Sequence, residues 1–446
     1  MSTMLNQSFS VENFRIILDL ENRKGVFLEG EFFPSLKPIT EDIKECNKNI
    51  ENKKKVKNTS ENELKELYDK RKNLKEKKEV HLNAELQKIS EKVVATNFKI
   101  ELTKKDIPNE KPLYLVKDSP EHYFTIKQVQ ANVARSFVVK QSNRFEIISQ
   151  VKILLNDEFP KYVLRTDIDD FYENISYERL IEKINENHIL SPFSRKILRQ
   201  ILSKYRELSG SDKGIPRGVG VSANLAELYM RDIDRAIMSL RGISYYARYV
   251  DDIIIIFTST LDDQDRDYLK DVKGIIEDEF KLKLNGTKTF AFDLRNEKLA
   301  CELEYLGYKM FFGDGKIKTR LTDKKIKKYK SRIDLSFESY SNLSKINEKE
   351  ARKILVKRVR FLTGNTRLRN NKNNVLVGIY HSNSQLTEKD DLSIIDDYLR
   401  NKINSEIKIT QLQGRLRKYS FKNGFDTRKF SAFKTHDLQK IMKAWK

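Results

Sequence analysis

The sequence predicts an α+β fold, and three features carry that prediction. Residues 1–115 are dominated by charge with apolar residues at helical spacing, 116–312 turn to short β-rich runs separated by helical stretches, and 313–446 are again helical and basic. Three domains follow from those boundaries: an N-terminal extension, a mixed central domain and a basic C-terminal domain. At 446 residues, 39% of them hydrophobic, the chain has enough apolar surface for a substantial core.

Ile43, Cys46 and Ile50 keep a heptad-like spacing, as do Leu82, Leu86, Ile89 and Val93. Lys57-Asn58-Thr59 breaks the pattern, and Ser60-Glu61-Asn62-Glu63 is a capping box that starts a second helix. The result is a two-helix hairpin over about 42–56 and 61–95, either a solvated structural hairpin or an arm that binds RNA or a partner. In the central region Lys161 to Thr166 reads as a strand running into Asp167-Ile168-Asp169-Asp170-Phe171-Tyr172. Leu225, Leu228, Ile233, Ile237 and Leu240 share a helical face that Gly242 closes. Tyr246–Val250 and Ile253–Phe257 are strong strand formers flanking Asp251 and Asp252, where a hairpin must turn. In the last region Asp323 to Arg332 holds six cations in ten residues, and Arg358, Arg360, Arg367 and Arg369 follow. Such runs are commonly a solvated face; the alternative is a surface that grips a polyanionic backbone.

Bulk charge agrees. Lys plus Arg exceed Asp plus Glu by 86 − 65, a net +21, which favours a polyanionic partner: nucleic acid first, an anionic membrane second. The bland alternative is a soluble, Lys-rich protein from an AT-rich genome. Two cysteines, Cys46 and Cys301, exclude a disulfide framework and a zinc site and suggest a reducing compartment. The opening MSTMLNQSFSVENF lacks signal-peptide character, and the apolar run Ile253–Phe257 is too short to cross a bilayer. A cytoplasmic protein without a membrane partner is expected.

The chemistry lies in the acids. Adjacent carboxylates repel by about 1 kcal/mol in water and about 4 kcal/mol in a partly desolvated cleft, which a fold tolerates when a cation neutralises them. A lone Asp-Asp would be an ordinary turn. A third acid, Asp167, changes the balance: it ends one strand, 84 residues before Asp251 in a hairpin. Adjacent strands of one sheet would gather all three into an oxygen-rich site suited to Mg²⁺. Two such ions about 4 Å apart can activate a hydroxyl and stabilise an in-line phosphoryl displacement.

DIDDFY (167–172), IPRGVGVSANLAELYM (215–230), YVDD (249–252), LNGTKT (284–289) and EYLGY (304–308) resemble the ordered motifs of reverse transcriptases. The resemblance covers about 130–310. It implies a right-hand polymerase with fingers, an antiparallel palm sheet and a helical thumb. It also implies RNA-directed DNA synthesis with two Mg²⁺ ions, Mn²⁺ being able to substitute. Carried over residue by residue, Asp167, Asp251 and Asp252 match the metal-binding aspartates, and the carbonyl of Ile168 would be a further ligand. Tyr172 matches the aromatic gate that excludes a 2′-hydroxyl. Gly218 lies in the segment beneath the template–primer end. Arg217 stands where many relatives have glutamine, a departure that puts nucleotide discrimination in question. Lys288 matches the lysine that protonates departing pyrophosphate. Tyr305, Leu306, Gly307 and Tyr308 resemble the primer grip, and Lys140 and Arg144 lie where the fingers' phosphate-binding cations should be.

With five His scattered and no second carboxylate cluster in 313–446, neither an intron-type endonuclease nor a ribonuclease H domain is expected. NQSFSVENFRIILDLENRKG, KQSNRFEIISQ, and RFLTGNTRL with GIYHSN resemble bacterial defence-associated reverse transcriptases. Among these the chain resembles the first polymerase of the system that pairs two reverse transcriptases with a noncoding RNA. That implies antiphage function, a structured noncoding RNA template, dNTPs, a DNA product, and a second polymerase subunit or homo-oligomer as partner. Three rivals stand beside it: a retron-type enzyme making RNA-linked DNA, an RNA-dependent RNA polymerase, and a non-catalytic RNA-binding scaffold.

Overall fold

The computed structural model describes residues 6–445, apart from 24–27, 56–59, 109, 157–158, 259–265, 295–300, 313–316 and 369–374. The Lys57–Thr59 break and Arg369 therefore lie outside the described residues. The chain divides into two compact units, each drawn from separate stretches of sequence. One comprises Met1–Gln141, Ile168–Met238 and Val272–Leu284; the other comprises Ser142–Asp167, Ser239–Asp271 and Asn285–Lys446.

The first unit is mostly helical. Its hairpin pairs the helix Lys37–Lys55 with the 34-residue helix Glu61–Val94, and the Ser60 side chain accepts from the Glu63 N–H, as the capping box predicts. The heptad residues Cys46, Ile50, Leu82, Leu86, Ile89 and Val93 are buried, which accounts for their spacing. Aromatic packing joins the helix Val11–Arg23 to Pro120–Ser136, with the Phe14 and Phe124 ring centroids 5.3 Å apart. An antiparallel ribbon of β1 (Leu102–Ile107) and β2 (Glu110–Val116) completes the unit, along with helices that include Pro192–Ser209 and Ser222–Met238. That last helix buries Leu225, Leu228, Ile233 and Ile237 as expected, but it stops at Met238. Leu240 therefore falls outside it. Gly242, at φ +83°, closes no helix; its carbonyl accepts from the Thr258 N–H at the foot of a β-hairpin in the second unit.

The second unit holds a four-stranded antiparallel sheet of β3 (Tyr162–Asp167), β4 (Ile243–Tyr249), β5 (Asp252–Phe257) and β6 (Phe290–Asp293), in the order β4-β5-β3-β6. β5 is central and every residue from Ile253 to Phe257 is fully buried, so it reads as one continuous apolar run rather than an alternation. A three-stranded sheet follows, β7 (Cys301–Tyr305), β8 (Tyr308–Phe312) and β9 (Lys318–Leu321), then a small ribbon of β10 (Asn365–Leu368) and β11 (Val375–Gly378). Helices Asp323–Ser344, Glu348–Thr363 and Asp390–Glu406 pack with these sheets around one core that includes Ile254, Ile256, Met310, Phe337 and Leu355.

The basic region differs from expectation at Arg358. Arg358 cannot grip a nucleic-acid backbone, because it is 4% exposed and donates to the carbonyls of Lys440 and Ile441. It satisfies the last carbonyls of the helix Thr435–Met442, where a cation also meets the negative end of the helix dipole. Arg360 bonds Ser431 Oγ, while Arg367 is exposed.

Candidate active site

Antiparallel register sets the position of the acids. Within the second unit Asp167, the last residue of β3, is the direct cross-strand partner of Asp252, the first of β5. Partners in such a pair project from the same sheet face. Period two puts Val163, Arg165 and Asp167 on that face, opposite Ile256, Ile254 and Asp252. The face therefore begins in the apolar core and ends in three charged groups. Asp251 is the residue before Asp252, in the two-residue turn that joins Tyr249 to Asp252.

That turn is strained. Two-residue hairpin loops of the primed types need φ > 0 at their first position, where glycine is preferred; Val250 sits there at φ +62°. A β-branched residue in that region costs about 1–3 kcal/mol, and the Val250 carbonyl is held by a 2.7 Å bond from buried Arg248 Nη1. Val250→Gly is expected to raise stability by about 1 kcal/mol, the strain relieved less the entropy that glycine adds to the unfolded chain. Urea denaturation would check it; a loss of stability would reject the strain assignment.

The carboxylates are matched by two cations that sequence reasoning did not pair with them. Arg165 Nε and Nη2 lie 3.0 and 2.9 Å from Asp252 Oδ1, and Arg165 Nη1 donates to the Lys288 carbonyl at 2.7 Å. Lys288 Nζ is 2.8 Å from Asp167 Oδ1. The LNGTKT loop is thus fastened to β3, with Thr166 and Thr289 hydroxyls 2.8 Å apart and the Asn285 N–H donating to the Asp167 carbonyl. Burial pushes the Asp252 carboxyl up to about 6; the charges of Asp167 and Asp251 add to the rise, and Arg165 opposes it. Arg165 was legible in principle, as a cation two places before Asp167 on the same strand face.

Among the described residues no group of three or more His, Cys, Asp or Glu side chains is gathered to hold a metal ion. The donor chemistry nevertheless fits a hard divalent cation. Asp167 and Asp252 are adjacent carboxylates, and both the Asp167 and the Asp251 charges disfavour ionisation of Asp252, a repulsion that a cation would reverse.

The second hairpin also belongs to this unit. Tyr305 pairs with Tyr308 across a two-residue loop, Leu306 and Gly307, at φ +44° and +76°. Both angles are positive, as a type I′ turn requires. The buried Tyr305 hydroxyl donates to the Asp252 carbonyl at 3.2 Å, tying this hairpin to the acids. Arg144 Nη2 donates to the Leu306 carbonyl.

Other predicted residues belong to the first unit. There the Arg217 guanidinium grips Glu173 through two bonds, one of them Nη2 to Oε2 at 3.0 Å, and lies 5.2 Å from the Tyr172 ring centroid. Although burial opposes ionisation of Glu173, bonding to Arg217 and the charges of Arg217 and Lys111 hold its carboxyl below the usual range. Arg217 is therefore a matched charge, and Glu173 is a partner the sequence did not reveal. Gly218, at φ +95°, is needed for the chain's own packing, since a Cβ there would stand 2.9 Å from the Tyr114 carbonyl. Ile168 is buried and bridges Leu284; the bonds of that bridge use the Asp169 N–H and the Asp167 carbonyl, not the Ile168 carbonyl. Lys140 is exposed.

Residues 121–310 match the family model described as "Reverse transcriptase (RNA-dependent DNA polymerase)". No curated protein matches the sequence. Among solved structures, apo telomerase from Candida tropicalis is 14% identical with a TM-score of 0.39, covering 77% of this chain and 61% of that one. Telomerase from Candida albicans, in complex with a TWJ fragment of telomeric RNA, is 12% identical with a TM-score of 0.35, covering 78% and 61%. The RNA-dependent RNA polymerase of BmCPV at the elongation state is 10% identical with a TM-score of 0.30, covering 56% and 25%. The chain thus spans less than two thirds of each of these chains.

Proposed function

We propose that residues 121–310, which match the reverse-transcriptase family model, act as an RNA-directed DNA polymerase of the nucleotidyltransferase class, and that this protein copies an RNA template into DNA at Asp167, Asp251 and Asp252. The observation that carries the reading is the cross-strand pairing of Asp167 with Asp252 beside Asp251, inside the matched segment. These three carboxylates, with the Ile168 carbonyl, would hold Mg²⁺ or Mn²⁺. Bound there, two such ions supply activation of the primer 3′-hydroxyl and neutralisation of the leaving pyrophosphate. Arg165 orients Asp252 through its two bonds to Oδ1. Lys288, whose ammonium is paired with Asp167, would give a proton to pyrophosphate. Tyr172 excludes the 2′-hydroxyl, with Arg217 stacked on its ring and Gly218 following in the nucleotide-facing segment. The Tyr305–Tyr308 turn holds the primer end, and Lys140 and Arg144 supply phosphate contacts.

The partners in this reading are a structured noncoding RNA template, dNTPs, the DNA product and a second polymerase subunit, in a cytoplasmic antiphage system. The motif resemblance and the net +21 support it, and no helix among the described residues is long and apolar enough to cross a membrane. Primer extension on an RNA template, with dNTPs or rNTPs and Mg²⁺, tests it. Extension with dNTPs is expected, and Tyr172→Val should raise ribonucleotide incorporation by about 10–100-fold. Absence of dNTP extension would reject the activity; unchanged sugar selectivity would reject Tyr172 as the gate.

A further inference from the structure

The two acids that face each other across β3 and β5 each hold a cation, and the two cations are kept with unequal firmness. The Arg165 side chain is 10% exposed and that of Asp252 is 17% exposed. Its guanidinium bonds Asp252 Oδ1 twice and also donates to the Lys288 carbonyl, so its departure would strand a carboxylate and a carbonyl together. Lys288 is placed differently. It reaches the buried Asp167 Oδ1 at 2.8 Å with a side chain that is 49% exposed. Water can take over that ammonium at little cost, as it does for exposed ion pairs generally.

The backbone beneath Lys288 is fixed all the same. Its N–H donates to the Asn285 carbonyl, and its own carbonyl accepts from Arg165. The next residue, Thr289, meets the Thr166 hydroxyl and donates to the Asn285 carbonyl. The side chain is therefore free to swing while its anchor stays in place.

Asp167 and Asp252 are thus each matched by one cation. A divalent cation held by these carboxylates adds two charges to a pair already neutralised, and the repulsion is relieved with least loss by the cation that water can accept. We propose that Lys288 is an exchangeable counter-ion: it competes with the divalent cation for Asp167, and its ammonium is released when that cation binds. Arg165 is the counter-ion that remains. This exchange rests on the reading of Asp167 and Asp252 as ligands of a divalent cation, and it gives that site an order of events. Lys288 is held at Asp167 until the metal arrives, so its ammonium is free to meet a substrate phosphate only in the loaded site. By reciprocity, whatever draws Lys288 away from Asp167 tightens the metal.

Other roles for the pair predict other results. A lysine that served only as a proton donor would leave metal affinity unchanged when truncated. One that served only to hold the loop would lower it, as Asp167 lost its orientation.

The test uses the full chain without nucleic acid and Mn²⁺, with free metal counted by electron paramagnetic resonance. Lys288→Met is expected to tighten Mn²⁺ binding by about fivefold, the scale of a part-exposed ion pair. Lys288→Arg keeps the charge and should bind no more tightly than the parent chain. Lys318→Met, which removes an exposed cation from β9 in the same unit, should change nothing. A second readout follows the ammonium itself and needs no substitution. Acylation of Lys288 by an N-hydroxysuccinimide ester, read by peptide mass spectrometry at fixed pH against Lys318, should accelerate severalfold as Mn²⁺ saturates. In Asp167→Asn the faster rate should hold with or without Mn²⁺. Unchanged or weaker Mn²⁺ binding by Lys288→Met, equal tightening by Lys288→Arg, or acylation indifferent to Mn²⁺ would each overturn the exchange and leave the carboxylates as ligands. No Mn²⁺ binding by either the parent chain or Lys288→Met would remove the ligand assignment itself, and the exchange with it.

Discussion

Asp252→Asn is expected to abolish DNA synthesis while leaving the protein folded. The substituted amide keeps the shape and one carbonyl oxygen, so the Arg165 Nε bond can persist and stability should change by no more than about 1 kcal/mol. What disappears is the charge that would bind a divalent cation opposite Asp167. Losing about 4 kcal/mol of transition-state stabilisation lowers the rate by about a thousandfold. Primer extension measures the loss, and a melting curve shows that the fold survives. Robust synthesis by a folded Asp252→Asn protein would remove the carboxylates from the mechanism.

The largest effect on stability is expected at Arg165, which is 8% exposed and holds both Asp252 and the Lys288 carbonyl. Arg165→Leu leaves a partly buried carboxylate with like-charged neighbours and no counter-ion, which costs about 3 kcal/mol. Arg165→Lys should fall between, because an ammonium cannot reproduce the planar fork that bonds Asp252 and Lys288 together. Combining Arg165→Leu with Asp252→Asn should recover much of the loss, since the stranded charge is gone; a double-mutant cycle in urea would show that coupling. If Arg165→Leu alone costs less than about 1 kcal/mol, Arg165 is not the residue that makes the acidic pair tolerable.

Much of this was legible in the sequence for a definite reason. The strand before Asp167 and the apolar run after Asp252, paired antiparallel in one sheet, bring both acids to the same end, and the register does place them opposite one another. The capping box at Ser60 and the heptad residues behind it were legible because local hydrogen bonding and burial fix helices with little outside help. What escaped were the partners. Lys288 and Asp167 lie 121 positions apart and Arg165 and Asp252 lie 87 apart; Arg165 shares the strand face of Asp167, but among 86 basic residues no local pattern ties either cation to its acid. Arg358 misled for the same reason: a basic run gives no sign of which cations turn inward to satisfy carbonyls. The six cations after Thr322 were a single surface in the sequence; in three dimensions Lys324, Lys325, Lys328 and Arg332 line a cavity.

The short connection at Val250 and Asp251 has an evolutionary corollary. With Tyr249 already paired to Asp252, no slack exists to absorb an added or lost residue. One extra amino acid would roll Asp252 to the reverse side of the ribbon, away from Asp167, while the isoleucines behind it were turned inside out. Insertion scanning should find this the least tolerant stretch of the chain, and surviving lineages should change its letters but never its length.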